Sequence, residues 1–522
     1  MKRAVSVCTA LLTLCMTAPQ LSAPAYAAES TVSAMPDTDS SVPDFSCFGA
    51  VGTLTEEESR KTAEAVYRAL QAHSTQVSLK GIGIDLTNDN ANDIYHICYT
   101  VMGGWDVGIL AVKNKISYNT YFDRVNLNYR FEGDEYDAQY AAYSQKLDDI
   151  LSGVKPEWSD VEKALYLHDY ISIYYDYDSE AFYGTVEREN SEHHCAYGML
   201  KNGVAVCDGY SDLYQILLHR LGIDALSVIS EELRHGWNIV RIDGDWYYVD
   251  VTWDDVYSQD AGKVLHENFL RTADEMIQTE HTASDWSIVA STNICDLAVP
   301  DTFGNAFWLE SDSAILPWRN AWLTVGKDSP CTLSLHTNIR PDGTSDRTEL
   351  LTLEYDDYKW PVWDMPGYTW RGNYVSPAVI GDILFYSTPT VIYALQDNSP
   401  VPVYELSDAE KEAGYIYGLY ADGDTLYYGI STESRTHQGT LDYPILYDAL
   451  TAGEWSTKLP VPEPDYDLNG DSTVSVQDAV ALAKYLNETV PESDFREESA
   501  DLNCDNLITL ADLSVLLSAL MQ

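Results

Sequence analysis

Gly203-Val-Ala-Val-Cys207-Asp-Gly-Tyr-Ser211 is the stretch on which the reading of this chain turns. Cys207 stands where a helix of about 207–221 should begin. Leu213, Leu217 and Leu221 then line one side, and Gly222 supplies the stop. Sulfur attacks a carbonyl only as thiolate, and a helix N-terminus favours that anion through its free N–H groups and partial positive charge. Two further stretches complete the pattern, Arg234-His235-Gly-Trp-Asn238 and Tyr248-Val-Asp250-Val-Thr-Trp-Asp254. Asp243-Gly244 between them is a strong two-residue hairpin signal. With that turn, Trp237 falls opposite Asp250 and His235 opposite Thr252. His235 and Asp250 are then diagonal neighbours on one face, as a base and its orienting carboxylate must be.

These three stretches, over about 196–254, resemble the core of the transglutaminase-like superfamily of papain-type thiol enzymes. The resemblance implies an α+β papain-type core in which Cys207 is the nucleophile, His235 the general base and acid, and Asp250 the orienting carboxylate. It implies peptidase, amidase or acyl-transfer chemistry on a protein or peptide substrate, with no cofactor for catalysis. The helix 159–175 and the segment 266–281 also resemble the surroundings of that core. Tyr197, in the loop before the nucleophile, is the candidate second oxyanion donor, and Trp237 and Trp253 are candidates for packing around the triad or walling a groove. The alternative is a non-catalytic module that binds protein or carbohydrate.

The clearest repeat lies at the other end. Asp467, Asn469, Asp471, Thr473 and Asp478 occupy places one, three, five, seven and twelve of one loop. Asp501, Asn503, Asp505, Leu507 and Asp512 occupy the same places of a second loop, 34 residues on. Side-chain oxygens at the first, third, fifth and twelfth places, with a backbone carbonyl at the seventh, suit one hard cation per loop, so two calcium ions are expected. Each loop runs into a helix. The pair resembles a type I dockerin, which implies a cohesin domain of a scaffoldin as partner and a cell-surface cellulosome as setting. Val476-Gln477 and Leu510-Ala511, the paired recognition positions, differ between the repeats.

The chain has 522 residues and a formal net charge of −51. That charge repels phosphate backbones and anionic lipid, and argues against nucleic-acid binding and membrane insertion. Lys2 and Arg3, the apolar run 4–16 and Ala25-Tyr-Ala27 read as a secretory signal peptide over 1–27, so an extracellular product is expected. Cys47, Cys98, Cys195, Cys207, Cys295, Cys331 and Cys504 follow it, an odd number that leaves at least one free thiol. His193-His194-Cys195 is not expected to be a metal cluster, since adjacent side chains diverge.

The remaining organisation is a flexible leader over 28–46, an N-terminal α+β region over 47–155, and the transglutaminase-like domain over 156–290. An all-β region over 300–457, a Pro-rich linker over 458–464 and the dockerin over 465–522 complete it. Capping boxes at Thr55/Glu58 and Ser159/Glu162 start two helices. Tyr136, Tyr140, Tyr143, Leu147 and Leu151 give another. Residues 76–130 read mostly as strands, for example 94–101 and 125–131. His168, alone on a helix face, reads as a packed, hydrogen-bonded residue. In the β region, Gly381-Asp-Ile-Leu-Phe-Tyr386 and Gly423-Asp-Thr-Leu-Tyr-Tyr428 are near-copies, and Asn305-Ala-Phe-Trp-Leu309 is a weaker candidate copy. A period of ~40–45 residues suits propeller blades, with a β-sandwich as the competing reading.

Overall fold

Two turn residues fix the central sheet. Asp243 (φ 51°) and Gly244 (φ 95°) both sit at positive φ, as a two-residue hairpin turn requires. They set Ile242 opposite Asp245 and Asn238 opposite Val249 in strands His235–Ile242 and Asp245–Val249. Ala225–Ser230 pairs with the far side of the first strand, and Ser287–Ile288 closes the antiparallel sheet of four. The computed structural model describes residues 42–43, 45–184, 189–255, 263–288, 300–363, 365–369, 374–396, 399–432, 446–459, 466–487, 495–496, 499–500, 502 and 508–521. The expected signal peptide, Cys295, Cys504, most of the leader and all of the linker beyond residue 459 lie outside these.

Helix Cys207–Arg220 packs across the sheet. It is buried almost all round, by Tyr210, Leu213, Tyr214, Ile216, Leu217 and Leu218, as befits a core helix. Helix Asp160–Tyr174 lies beside it, started by the Ser159/Glu162 capping box. The Tyr214 hydroxyl donates to the Ala164 carbonyl at 3.1 Å between the two. A third helix, Ala91–Gly104, covers another side of the buried one.

That third helix corrects the expected strand at 94–101. Its β-branched and aromatic residues suit a strand, yet the buried positions are Ile94, Ile97, Cys98 and Val101, a helical spacing. Tertiary packing overrides propensity here. At Gly103 a Cβ would lie 2.5 Å from Asp212 Oδ1, and at Gly104 one would lie 2.1 Å from Gln215 Nε2, so only glycine permits this approach. The strand expected at 125–131 is reduced to Arg124–Asn126. Helices Glu56–Gln71 and Gly133–Leu151 form as the sequence pattern implies.

The β region contains antiparallel sheets of four, four and three strands, each a simple meander. Their first hairpins turn at Arg319-Asn320, Gly381-Asp382 and Gly423-Asp424. The true counterpart of the two near-copies is therefore 319–325. Asn305–Leu309 is not one, because Phe307–Glu310 is a 3-10 turn that drives Phe307 and Trp308 into the core. No closed ring of sheets forms among the described residues. Helices Val476–Leu486 and Leu510–Leu520 share a small core of Leu468, Ala479, Leu482, Ala500, Leu502 and Leu516. No described helix is long and apolar enough to cross a membrane.

A buried polar cluster joins the β region to the helices. Asp169 accepts from His168 Nδ1 at 2.8 Å, His266 Nε2 at 3.1 Å and the Ile315 amide at 2.6 Å. His168 Nε2 lies 3.3 Å from Asp254 Oδ2. Burial alone would keep His168 neutral, but Asp169 and Asp254 outweigh it and push its pKa up to about 9. Asp169→Ala takes their shared acceptor from His168 Nδ1, His266 Nε2 and the Ile315 amide. It is expected to cost about 3–5 kcal/mol in a urea unfolding experiment, whereas Asp160→Ala, on the exposed face of the same helix, should change little.

Candidate active site

The Cys207 helix begins without a capping side chain. Val206 is extended (φ −90°, ψ −179°) and offers its first-turn N–H groups no side-chain acceptor. Those groups stay directed at whatever sits before the helix. Gly209, one turn in, is forced: a Cβ there would lie 2.4 Å from that of Ala205.

His235 opens its strand, and the register sets it diagonal to Asp250. His235 Nε2 lies 2.5 Å from Asp250 Oδ2. The Cys207 thiol acts electrostatically on the same imidazole and lines the same cavity wall, so thiol, ring and carboxylate form one coupled line. Asp250 is fully buried and N-caps helix Val251–Asp254, its Oδ1 accepting from Thr252 N–H at 2.9 Å and Trp253 N–H at 3.2 Å. Burial pulls His235 toward neutrality, but Asp250 first and Cys207 second outweigh it and raise its pKa to about 10. Burial likewise opposes the charge on Asp250, yet His235 and His281 hold its carboxyl far below the usual range. Trp253 and Trp237 stack near the His235 ring, at 4.8 Å and 5.6 Å between centroids.

Cys207 and His235 open into a cavity of about 540 Å³, whose walls include Tyr99, Phe182, His194 and Ile229. An ion pair and a histidine–carboxylate contact line it. Lys113 Nζ lies 2.5 Å from Asp212 Oδ2, and His194 Nδ1 lies 2.7 Å from Asp208 Oδ2. Burial, reinforced by Asp208 and opposed by Lys113, pushes the Asp212 pKa up to about 6. Asp208 moves the other way: burial is outweighed by His194 and Lys113, and its pKa is lowered.

Tyr197 takes no part in this cavity. Its ring is buried against Tyr143 at 4.8 Å with the Arg130 guanidinium 4.7 Å above it, because helix Ala196–Asn202 turns that face inward. His194 and Cys195 also part company. Cys195 receives the Arg130 guanidinium at 3.2 Å while His194 goes to Asp208. Cys98, Cys195 and Cys207 are unbridged. Burial pushes the Cys98 thiol up to about 12 and raises that of Cys195.

Sequence reasoning missed Lys113, Asp208, His194 and above all His281, whose Nε2 lies 2.9 Å from Asp250 Oδ2. Its only signal was its place at the end of 266–281.

At the C-terminus, the first acidic loop closes on itself. Asp471 N–H donates to Asn469 Oδ1 at 2.9 Å, Ser472 N–H to Asp467 Oδ2 at 2.9 Å, and Ser475 N–H to buried Asp478 Oδ2 at 2.7 Å. Thr473 N–H donates to Asp471 Oδ1 at 2.8 Å. Asp512 repeats the role of Asp478: it is buried and accepts from Thr509 N–H at 2.7 Å and Leu502 N–H at 2.8 Å. Asp501, Asn503, Asp505 and Leu507 lie outside the described residues.

Residues 145–251 match the model of the transglutaminase-like superfamily. Residues 465–521 match the dockerin type I domain. Kyphoscoliosis peptidase of Mus musculus is 25% identical over 138 residues, covering 24% of this chain and 20% of that protein. Its Homo sapiens counterpart is 26% identical over 135 residues, covering 23% and 20%. This chain thus spans about a fifth of the length of the curated relatives it matches. A solved structure of a TGase is 14% identical and covers 26% of this chain and 43% of that one, with a TM-score of 0.21. The transglutaminase-like match ends at Val251, short of His281.

The buried pair sets a pH dependence. His235 holds its proton more tightly folded than unfolded, so its contribution is complete below about pH 6.5 and is lost as pH rises through about 10. Asp250 contributes above its ordinary value of 3.8 and loses that contribution as pH falls through its depressed folded value. The urea midpoint of the wild type should therefore decline on the alkaline side, and Asp250→Asn should flatten that decline.

Proposed function

We propose that this chain is an exported thiol enzyme that cleaves amide or peptide bonds and is held by its dockerin on a cohesin-bearing scaffold outside the cell. The observation that carries the proposal is the His235–Asp250 pair beside Cys207 at the wall of an open cavity. The curated relatives, being named peptidases, point the same way.

In this reading His235, held cationic by Asp250, keeps Cys207 as thiolate. The sulfur attacks the substrate carbonyl and forms the C–S bond, and the negative charge moves to the carbonyl oxygen. The first-turn N–H groups of the Cys207 helix face that charge. Collapse breaks the C–N bond, and His235 gives its proton to the departing amine. His235, now neutral, takes a proton from water, which attacks the thioester. The acid leaves, and thiolate and imidazolium are restored. An amine in place of water gives acyl transfer by the same residues.

The dockerin loops fit calcium. Asp467, Asn469, Asp471 and Asp478 supply side-chain oxygens and Thr473 a backbone carbonyl, the donor set of a hard cation, and two of the carboxylates, those of Asp467 and Asp478, are buried. When bound, calcium would neutralise those carboxylates. Asp501, Asn503, Asp505, Leu507 and Asp512 are the corresponding set for a second ion.

Alkylation near neutral pH should modify Cys207 ahead of Cys98 and Cys195. Cys207→Ala should lower peptide hydrolysis or amine incorporation by about 10⁴-fold or more. Equal labelling of the three thiols, with activity untouched by the substitution, would sink the enzyme reading. Chelation of calcium should open 466–521 to protease and abolish cohesin capture while leaving Cys207 labelling intact. A protease pattern indifferent to calcium would refute the metal sites.

A further inference from the structure

We infer that His281 is a positioning residue of this site: its Nε2–H shares Asp250 Oδ2 with His235 and limits how tightly that carboxylate holds the His235 proton. The inference rests on the thiol-enzyme reading above.

Two imidazoles converge on one oxygen. His235 Nε2 lies 2.5 Å from Asp250 Oδ2 and His281 Nε2 lies 2.9 Å from the same atom. A carboxylate oxygen accepts, so each ring presents N–H to it. The other nitrogen of His281, Nδ1, is buried and has no hydrogen-bond partner among the described residues. A proton on Nδ1 would be an unpaired buried donor, so the proton sits on Nε2. Asp250 is thus the polar group this ring serves.

The fold goes out of its way to deliver that ring. Glu280, the preceding residue, lies at φ 77°, a strained conformation for a side chain of its kind. The His281 amide is tied to the Met276 carbonyl at 3.1 Å. Trp253, Trp237 and Trp286 surround the imidazole with centroids at 4.0, 5.1 and 6.2 Å. An apolar side chain would fill such a box without leaving a nitrogen orphaned. What histidine adds is the N–H on Oδ2.

The consequence follows from sharing. A carboxylate oxygen divided between two donors offers each less negative potential than one reserved for a single donor. Without His281, Asp250 would hold the His235 proton harder, and His235 would surrender it less readily to a leaving amine. Among the described residues, the other charged or titratable groups facing the pair are Cys207 and Asp208 from the helix, Tyr177 from the short strand Asp176–Tyr177, and Glu231 and Arg234 from the turn before His235.

The test is the pH profile of Cys207 alkylation by iodoacetamide in the full chain, with Cys207→Ala as the labelling control. Wild type should show Cys207 labelled ahead of Cys98 and Cys195, with an alkaline inflection from His235. His281→Leu should move that inflection up by about one pH unit. His281→Gln, whose amide N–H can reach the same oxygen, should restore it to near the wild-type value. A wild-type inflection that His281→Leu leaves in place overturns the role of His281. A wild type in which Cys207 is labelled no faster than Cys98 and Cys195 overturns the thiol-enzyme reading instead. Should His281→Leu fail to fold, nitrogen NMR of the histidine-labelled wild type decides: a proton on His281 Nε2 supports the inference, and one on Nδ1 refutes it.

Discussion

A fully buried carboxylate, Asp250, is the constraint around which this part of the molecule is built. Such a charge is tolerated only when its oxygens are satisfied. Oδ1 takes two backbone amides and Oδ2 takes two imidazoles. Each donor comes from a different demand on the fold. The amides require a helix to begin at Val251, His235 requires the hairpin register, and His281 requires a strained turn after helix Ala273–Gln278. Cys207 enters through His235, whose charge it helps to hold.

The short helix Val251–Asp254 ties this carboxylate to a second buried network. Asp250 caps its beginning, and Asp254 at its end accepts the Asn268 amide and meets His168. His168 leads to Asp169, and Asp169 to His266 and the Ile315 amide at the edge of the β region. Four residues of helix therefore lie between the candidate active site and the joint with the sheets. The two networks are chemically alike, with buried carboxylates shared between imidazoles. They differ in chemistry: among the described residues, only the one containing His235 meets a thiol, that of Cys207, at a cavity wall.

The site was legible in the sequence where the chemistry is local. Asp243-Gly244 announces its turn, and a period of two then puts His235 and Asp250 on one face. Where contacts cross long stretches of chain, nothing local announces them. Lys113 meets Asp212 from 99 residues away, and His281 reaches Asp250 from 31. The segment 94–101 was misread because its β-branched residues favour a strand in isolation, while the glycines at 103 and 104 let a helix settle against the Cys207 helix. Tyr197 was misplaced for a related reason: being near Cys207 in sequence says nothing about which side of its own helix faces the core.

By itself, then, the sequence determined the helix start at Cys207, the hairpin register, the paired acidic loops and the strand-rich region after residue 300. Each of these is written in turn residues, caps and short periods that act within a few residues. Tertiary structure alone decided which donors complete the Asp250 carboxylate, which ions line the cavity, and how helix Asp160–Tyr174 is bound to the sheets. Those choices depend on burying charge, and the cost of burial is set by neighbours that only the folded chain brings together.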